Sequence, residues 1–208
     1  MLWDLDGTLA DSRDYHWRAW REVLAADGVS ITHQQFLASF GQRNDAILAR
    51  WIGSAAPGRI RRIGDEKEAR FRDLVTSDGL VPLPGAAEWV ARLAAAGWRQ
   101  AVASSAPRAN VQAMLDALGL RKTLGVFVAA EDVGAGKPDP EVFLAAAGRL
   151  AVAPLACVVV EDAAAGIEAA RRARMRSVGL GVPADVTVGA LTDLAESAFE
   201  DLLERGAP

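Results

Sequence analysis

Short apolar runs of strand length recur along the chain, separated by longer stretches whose apolar positions return every three to four residues. Met1-Leu2-Trp3-Asp4-Leu5 reads as a first strand running into a turn at Gly7. Later runs of the same kind are Gln100 to Ala103, Gly125 to Ala129, Cys157 to Val160 and Ser177 to Leu180. Helical patterns lie between them. Pro84-Gly85 precedes an Ala-rich helix that stops at Gly97, Pro107 opens another that stops at Gly119, and two more run from Pro138 to Leu150 and from Ala163 to Arg174. Strands alternating with helices predict βαβ units, hence an α/β fold whose parallel sheet has helices on both faces.

Residues 13–81 break that rhythm with helical periodicity and no strand. Trp17, Trp20 and Leu24 share one face, and Ile47, Leu48 and Trp51 share another. The expected organisation is therefore an α/β core of residues 1–12 and 82–208 with an inserted helical cap of residues 13–81, returning through Pro82-Leu83-Pro84-Gly85. Only three residues precede Asp4, so the first strand is expected to be weakly held. The stretch after Leu180, Gly181-Val182-Pro183-Ala184-Asp185, looks condensed.

Composition narrows the function classes. At 208 residues, with 51% hydrophobic and 24% charged positions, the chain is globular rather than disordered. A net charge of −4 gives no basic field for nucleic acid or an anionic membrane. No apolar run is long enough to span a bilayer and the N-terminus lacks the form of a signal peptide, so a cytoplasmic location without membrane partners is expected. The single cysteine, Cys157, excludes an intramolecular disulfide and a cysteine-built metal site, and its place at the start of an apolar strand suggests simple burial. Among many arginines there are three lysines, Lys67, Lys122 and Lys137, so the setting of each lysine is informative.

Four short motifs carry candidate chemistry. In Asp4-Leu5-Asp6-Gly7-Thr8, alternate strand positions send both carboxylates to one side, Gly7 permits a sharp turn, and Thr8 adds a hydroxyl and an N–H. That pattern suits a divalent cation, and equally a solvated acidic turn. Val158-Val159-Val160-Glu161-Asp162 ends an apolar strand on another acidic pair. If the two strands are neighbours their carboxylates converge, and oxygen ligands without His or Cys suit Mg²⁺ rather than Zn²⁺; otherwise Glu161 and Asp162 cap the next helix. Ser104-Ser105, before the Pro107 helix, reads as a phosphate cradle of hydroxyls and free N–H groups or as an ordinary cap. Lys137, in Gly136-Lys137-Pro138-Asp139-Pro140, sits where a helix is expected to start, which disfavours a cation unless an anion shares the place; a surface-loop lysine is the alternative.

Taken in this order, the four motifs resemble those of the haloacid dehalogenase-like superfamily, and the resemblance covers essentially the whole chain. DLDGTLADSRDYHWRAW, SFGQRNDAIL, VASSAPRANV, GKPDPEVF and VVVEDAAAGIEAARRA are similar to its β-phosphoglucomutase/phosphatase branch. The resemblance implies a Rossmann-like core with an α-helical cap and Mg²⁺ as cofactor. It implies Asp4 as nucleophile forming an aspartyl-phosphate, and Asp6 as general acid and base. Asp4, the Asp6 carbonyl and Asp162 would hold the metal, with Glu161 close by. Thr8, Ser104, Ser105 and Lys137 would hold the phosphate. On the cap, Arg43 and Asn44 match a specificity loop where an arginine can clamp a second phosphate or a carboxylate, and His16 matches a cap-side histidine of the mutases. Packing at the cap hinge is the other reading of His16, and a solvated loop charge that of Arg43.

Departures from the branch separate phosphatase from mutase. The mutase loop carries a lysine where this chain has Phe40, and a polar Ser-Lys-Asn run where it has Ala106, Pro107 and Arg108. Fewer donors for the far phosphate of a bisphosphate make water the easier acceptor. The expected function is a Mg²⁺-dependent phosphatase of small phosphorylated metabolites, sugar phosphates foremost, acting as a monomer, with the mutase as the alternative. Asp6 argues against a dehalogenase, which has no leaving oxygen to protonate. The retained charged residues argue against a non-catalytic binding protein.

Overall fold

Six parallel strands build one sheet in a computed structural model that describes residues 1–39, 44–53 and 57–204. From the N-terminus the elements are β1 (Leu2–Trp3), α1 (Arg13–Ala26), α2 (His33–Leu37), α3 (Asn44–Ile52) and α4 (Pro57–Asp78). There follow α5 (Ala86–Ala95), β2 (Ala101–Ala103), α6 (Arg108–Ala117), β3 (Phe127–Val128), α7 (Glu141–Leu150) and β4 (Val158–Glu161). The chain closes with α8 (Ala164–Arg172), β5 (Arg176–Leu180), β6 (Val186–Val188) and α9 (Ala198–Glu204). Two compact units result, Met1–Asp11 with Val81–Pro208, and Ser12–Leu80.

The strand order is β3-β2-β1-β4-β5-β6. The chain winds outward from β1 through β2 to β3, then returns to lay β4 against the other side of β1. The reversal opens a crevice between the carboxyl ends of β1 and β4, where ligand sites of open α/β sheets form. Register puts Trp3 level with both Val102 and Val160. Asp4, one residue on, still donates its N–H to the Val160 carbonyl at 3.0 Å.

Neighbouring residues of β1 serve opposite faces. Leu2 joins Ala103, Val142, Phe143, Val159 and Ala169 beneath α7 and α8. Trp3 turns the other way, edge-on to Phe199 of α9, which also meets Trp89 and Trp98. The Trp3 indole N–H donates to Gln100 Oε1 at 2.9 Å. Despite its length, β1 is therefore not weakly held: it is paired on both sides, and Met1, Leu2 and Trp3 are all buried. Burying such side chains contributes about 1.5–3 kcal/mol each.

Two further elements differ from the sequence reading. Val186-Thr187-Val188, which is not among the apolar runs named above, pairs with β5 as an edge strand. The helix expected from Pro138 begins only at Glu141. In the Ser12–Leu80 unit, Trp20, Leu24, Phe36, Ile47, Leu48 and Ile63 form a separate core, with Trp17 and Trp51 packed on it. No helix among the described residues is long and apolar enough to cross a membrane.

Candidate active site

The turn after β1 is wound tightly on its own carbonyls. Leu5 C=O accepts from the N–H groups of Leu9 at 3.0 Å and Ala10 at 3.2 Å, and Gly7 donates to Ala10 C=O at 2.8 Å. Leu5 and Leu9 are buried and anchor it. Gly7 has φ +89°, and a Cβ there would stand 2.0 Å from Asp162 Oδ2. Only glycine lets the carboxylate from β4 lie against the turn from β1. Gly166 does the same for Glu161: a Cβ would fall 1.9 Å from Oε1.

Lys137 joins the two strand ends. Its ammonium is 2.5 Å from Asp4 Oδ1 and 2.6 Å from Glu161 Oε1, and lies 5.0 Å from the centre of the Phe143 ring. The other Glu161 oxygen accepts the Ala163 N–H at 2.8 Å. Burial works against the lysine charge, but Asp4 and Glu161 outweigh it and hold the ammonium above its ordinary pKa. Asp4 moves the opposite way for an acid: burial pushes its carboxyl up, Lys137 only partly offsets this, and Glu161 and Asp6 add like-charge repulsion. Asp162 is raised to about 6, by burial first and then by Glu161. The lysine is thus not stranded at a helix start, as the sequence suggested. It precedes α7 and is neutralised by carboxylates.

Asp4, Glu161 and Asp162 each offer one oxygen, and these atoms lie within 4.8 Å of one another. A largely buried cluster of hard oxygen donors, with the Asp4 and Asp162 carboxyls raised in pKa, fits a divalent cation such as Mg²⁺. Both Glu161 oxygens already have partners, which leaves Asp4 and Asp162 as the better donors. Asp6 neighbours them closely enough to repel both.

Ser104 is buried at the end of β2, and Ser105 is exposed beside it. The cradle of free N–H groups expected there is changed by internal partners. Ala106 N–H donates to Ser104 Oγ at 3.0 Å, and Arg108 N–H to the Glu131 carboxylate at 2.9 and 3.0 Å. Thr8 is fully buried, and its hydroxyl has no hydrogen-bond partner among the described residues.

His16 and Asn44, in the helical unit, belong to one polar cluster. The His16 ring stacks on Phe71 at 4.0 Å, and its Nδ1 is 2.8 Å from Lys67 Nζ. Lys67 is buried, donates to Glu68 Oε1 at 2.9 Å and lies 5.2 Å from the Trp20 ring. Asn44 Nδ2 donates to the same Glu68 oxygen at 2.6 Å. Since the lysine ammonium can only donate, Nδ1 accepts and the His16 proton resides on Nε2. Burial pushes the Glu68 carboxyl up, but Lys67 foremost, with Asn44, brings it below its usual value. Neither Lys67 nor Glu68 was singled out as a site residue from sequence; the scarcity of lysines was the available signal. Arg43 lies outside the described residues, as does Phe40.

Comparison with known proteins gives a consistent picture. The family model described as haloacid dehalogenase-like hydrolase matches residues 1–174. Hexitol phosphatase B of Escherichia coli (strain K12) is 32% identical over 207 residues, covering 93% of this chain and 92% of that protein. The crystal structure of CbbY from Rhodobacter sphaeroides in complex with phosphate superposes with a TM-score of 0.88 at 30% identity, covering 97% of this chain and 98% of that one. A β-phosphoglucomutase structure from Clostridium difficile gives 0.85 at 27% identity, covering 98% of this chain and 96% of that one.

Proposed function

The chain belongs to the haloacid dehalogenase-like hydrolases, and on that premise we propose that it is a Mg²⁺-dependent phosphatase of small phosphorylated metabolites, working through a phosphorylated Asp4. The observation that carries this reading is the meeting of Asp4, Lys137 and Glu161 at the switch point of the sheet, with Asp162 beside them. Sugar phosphates are the favoured substrates, in line with the similarity to hexitol phosphatase B. The working unit is a monomer.

Asp4 attacks phosphorus with one carboxylate oxygen, the bond from phosphorus to the alcohol oxygen breaks, and Asp6 protonates that leaving oxygen. Asp6, now a base, takes a proton from water as the water oxygen attacks the same phosphorus, releasing phosphate and restoring Asp4. Lys137 moves its charge toward the phosphoryl oxygens as Asp4 is esterified. Ser104 and Ser105 supply hydroxyls for those oxygens. Asp4, the Asp6 carbonyl and Asp162 would hold the cation, which when bound offsets the repulsion between carboxylate and phosphate. Thr8, whose buried hydroxyl has no hydrogen-bond partner among the described residues, would offer that hydroxyl to the phosphate.

Release of phosphate from p-nitrophenyl phosphate and a panel of sugar phosphates, with Mg²⁺, tests the reading. Activity abolished by EDTA and by Asp4→Asn supports it; no hydrolysis of any phosphomonoester overturns it. One observation favours the mutase as a second reading. His16, which matches the cap histidine of that branch, is held in a single tautomer by Lys67. Interconversion of β-glucose 1-phosphate and glucose 6-phosphate, primed by the bisphosphate, would establish that reading instead.

A further inference from the structure

Lys137 must deliver an ammonium to within 2.6 Å of two carboxylates, yet the run before it has nothing to anchor it by packing. Gly134, Ala135 and Gly136 are exposed, and two of them have no side chain. Such a segment keeps most of its conformational freedom unless its backbone groups are tied down. Glu141 ties them. A single oxygen, Oε2, accepts from Gly134 N–H at 2.8 Å and from Ala135 N–H at 3.0 Å. Its own N–H donates to Asp139 Oδ1 at 3.0 Å, and Asp139 N–H donates to Gly136 C=O at 3.0 Å. The loop is thus stitched to the first turn of α7 on both sides of Lys137.

That turn is a firm base. Val142, Phe143, Ala146 and Ala147 of α7 are buried against the sheet, and the Phe143 ring lies under the lysine ammonium. From this geometry we infer that Glu141 is a positioning residue for Lys137. It holds the 134–136 run so that the ammonium meets the attacking carboxylate and then the phosphoryl oxygens. The inference rests on the phosphatase reading above. It adds a residue that touches neither substrate nor metal, and it explains why a buried cation can stand on an exposed glycine-rich loop.

A double-mutant cycle tests it, using hydrolysis of p-nitrophenyl phosphate with Mg²⁺ by Glu141→Ala, Glu141→Gln, Lys137→Ala and the Glu141→Ala/Lys137→Ala pair. A displacement of about 1 Å at a reacting group costs up to about 100-fold. Glu141→Ala is therefore expected to lower kcat by roughly 10- to 100-fold with KM changed much less. Glu141→Gln keeps an oxygen that accepts both N–H groups and is expected to recover most of the rate. In the Lys137→Ala background, Glu141→Ala is expected to change the residual rate by less than about twofold, because the group it positions is gone. Equal proportional losses in both backgrounds, a Gln variant as poor as the Ala variant, or wild-type kcat in Glu141→Ala would each overturn the assignment. Thermal melts and circular dichroism of every variant identify loss of fold, and Glu141→Gln then decides. A wild-type protein that hydrolyses no phosphomonoester overturns the phosphatase reading and this one with it, an outcome distinct from an active enzyme whose cycle is additive.

Discussion

The ammonium of Lys137 stands 2.5 Å from Oδ1 of Asp4, and the same cation reaches Glu161 Oε1 at 2.6 Å. In the mechanism proposed above this is the charge that the transferred phosphoryl group would need, held on Asp4 and Glu161 in the meantime. Replacing Lys137 by Ala leaves Asp4 and Glu161 buried without their shared cation. Breaking a buried ion pair costs about 3–5 kcal/mol, and losing one electrostatic stabiliser of the reacting group costs about 10²–10³ in rate. Lys137→Ala is expected to lower both the melting temperature and kcat. Lys137→Arg is expected to restore stability better than turnover, since a planar guanidinium does not reproduce a point charge. Steady-state kinetics and calorimetry check this; wild-type kcat in either variant speaks against the role given to Lys137.

The two contact glycines give a second, steric prediction. Gly166 lies within α8, where alanine is the better helix former by about 1 kcal/mol. Yet Gly166→Ala would drive a methyl into Glu161, and Gly7→Ala would drive one into Asp162 from a backbone at φ +89°. Both variants are expected to be destabilised and to lose most phosphatase activity. Gly7→Ala is expected to weaken Mg²⁺ binding more than Gly166→Ala, because Asp162 is the better-placed donor. A Gly166→Ala protein more stable than wild type, as helix propensity alone would give, contradicts the packing described.

A third prediction concerns pH. The Asp162 carboxyl has its pKa raised to about 6 in the folded chain, whereas an unperturbed aspartate titrates near 4. Between those values the folded state holds a proton that the unfolded state has lost. The contribution of this group to stability therefore falls as pH rises through that window. Mg²⁺ bound at the proposed site would relieve the repulsion left at higher pH and would have to displace the proton at lower pH. The rise in melting temperature on adding Mg²⁺ is expected to be larger at about pH 7.5 than at about pH 5. In Asp162→Asn that pH dependence should shrink, leaving the part contributed by the raised Asp4 carboxyl. Equal Mg²⁺ shifts at both pH values would count against the carboxylate cluster as the metal site.

How much of this could be read from sequence depended on whether the signal was local. The strands leading to Asp4, Ser104 and Glu161 were legible because each is a buried apolar run ending in polar residues, and the parallel sheet followed from their alternation with helices. β6 was missed because Val186-Thr187-Val188 is a short, partly exposed edge strand that pairs on one side only. The seven-residue α9 carries its burial on Ala198, Phe199 and Leu202, too little for periodicity to show. Lys137 was placed at a helix start because Pro138 resembles a helix-opening proline, whereas α7 waits for Glu141. Partners brought together by tertiary packing left no pattern at all. His16 meets Lys67 across 51 positions, and Lys137 meets Asp4 across 133.

The cluster in the helical unit supplies a fourth prediction. Lys67→Met removes the donor to His16 Nδ1 and the Lys67 hydrogen bond to Glu68, while the hydrogen bond from Asn44 to Glu68 stays. The His16 imidazole should then lose its single-tautomer signature, read from its ring ¹⁵N shifts by NMR, and Glu68 should titrate at higher pH than in wild type. An unchanged tautomer in the variant contradicts the hydrogen bond assigned to Lys67.

The proposed phosphorylation of Asp4 is open to a direct test. Wild-type enzyme quenched during turnover of a phosphomonoester and reduced with tritiated borohydride should carry its label at position 4 of the N-terminal tryptic peptide, converted to homoserine. Asp4→Asn should take up none. A label at another carboxylate, or no label from enzyme that is demonstrably turning over, would contradict the assignment of Asp4 as the group that accepts phosphorus.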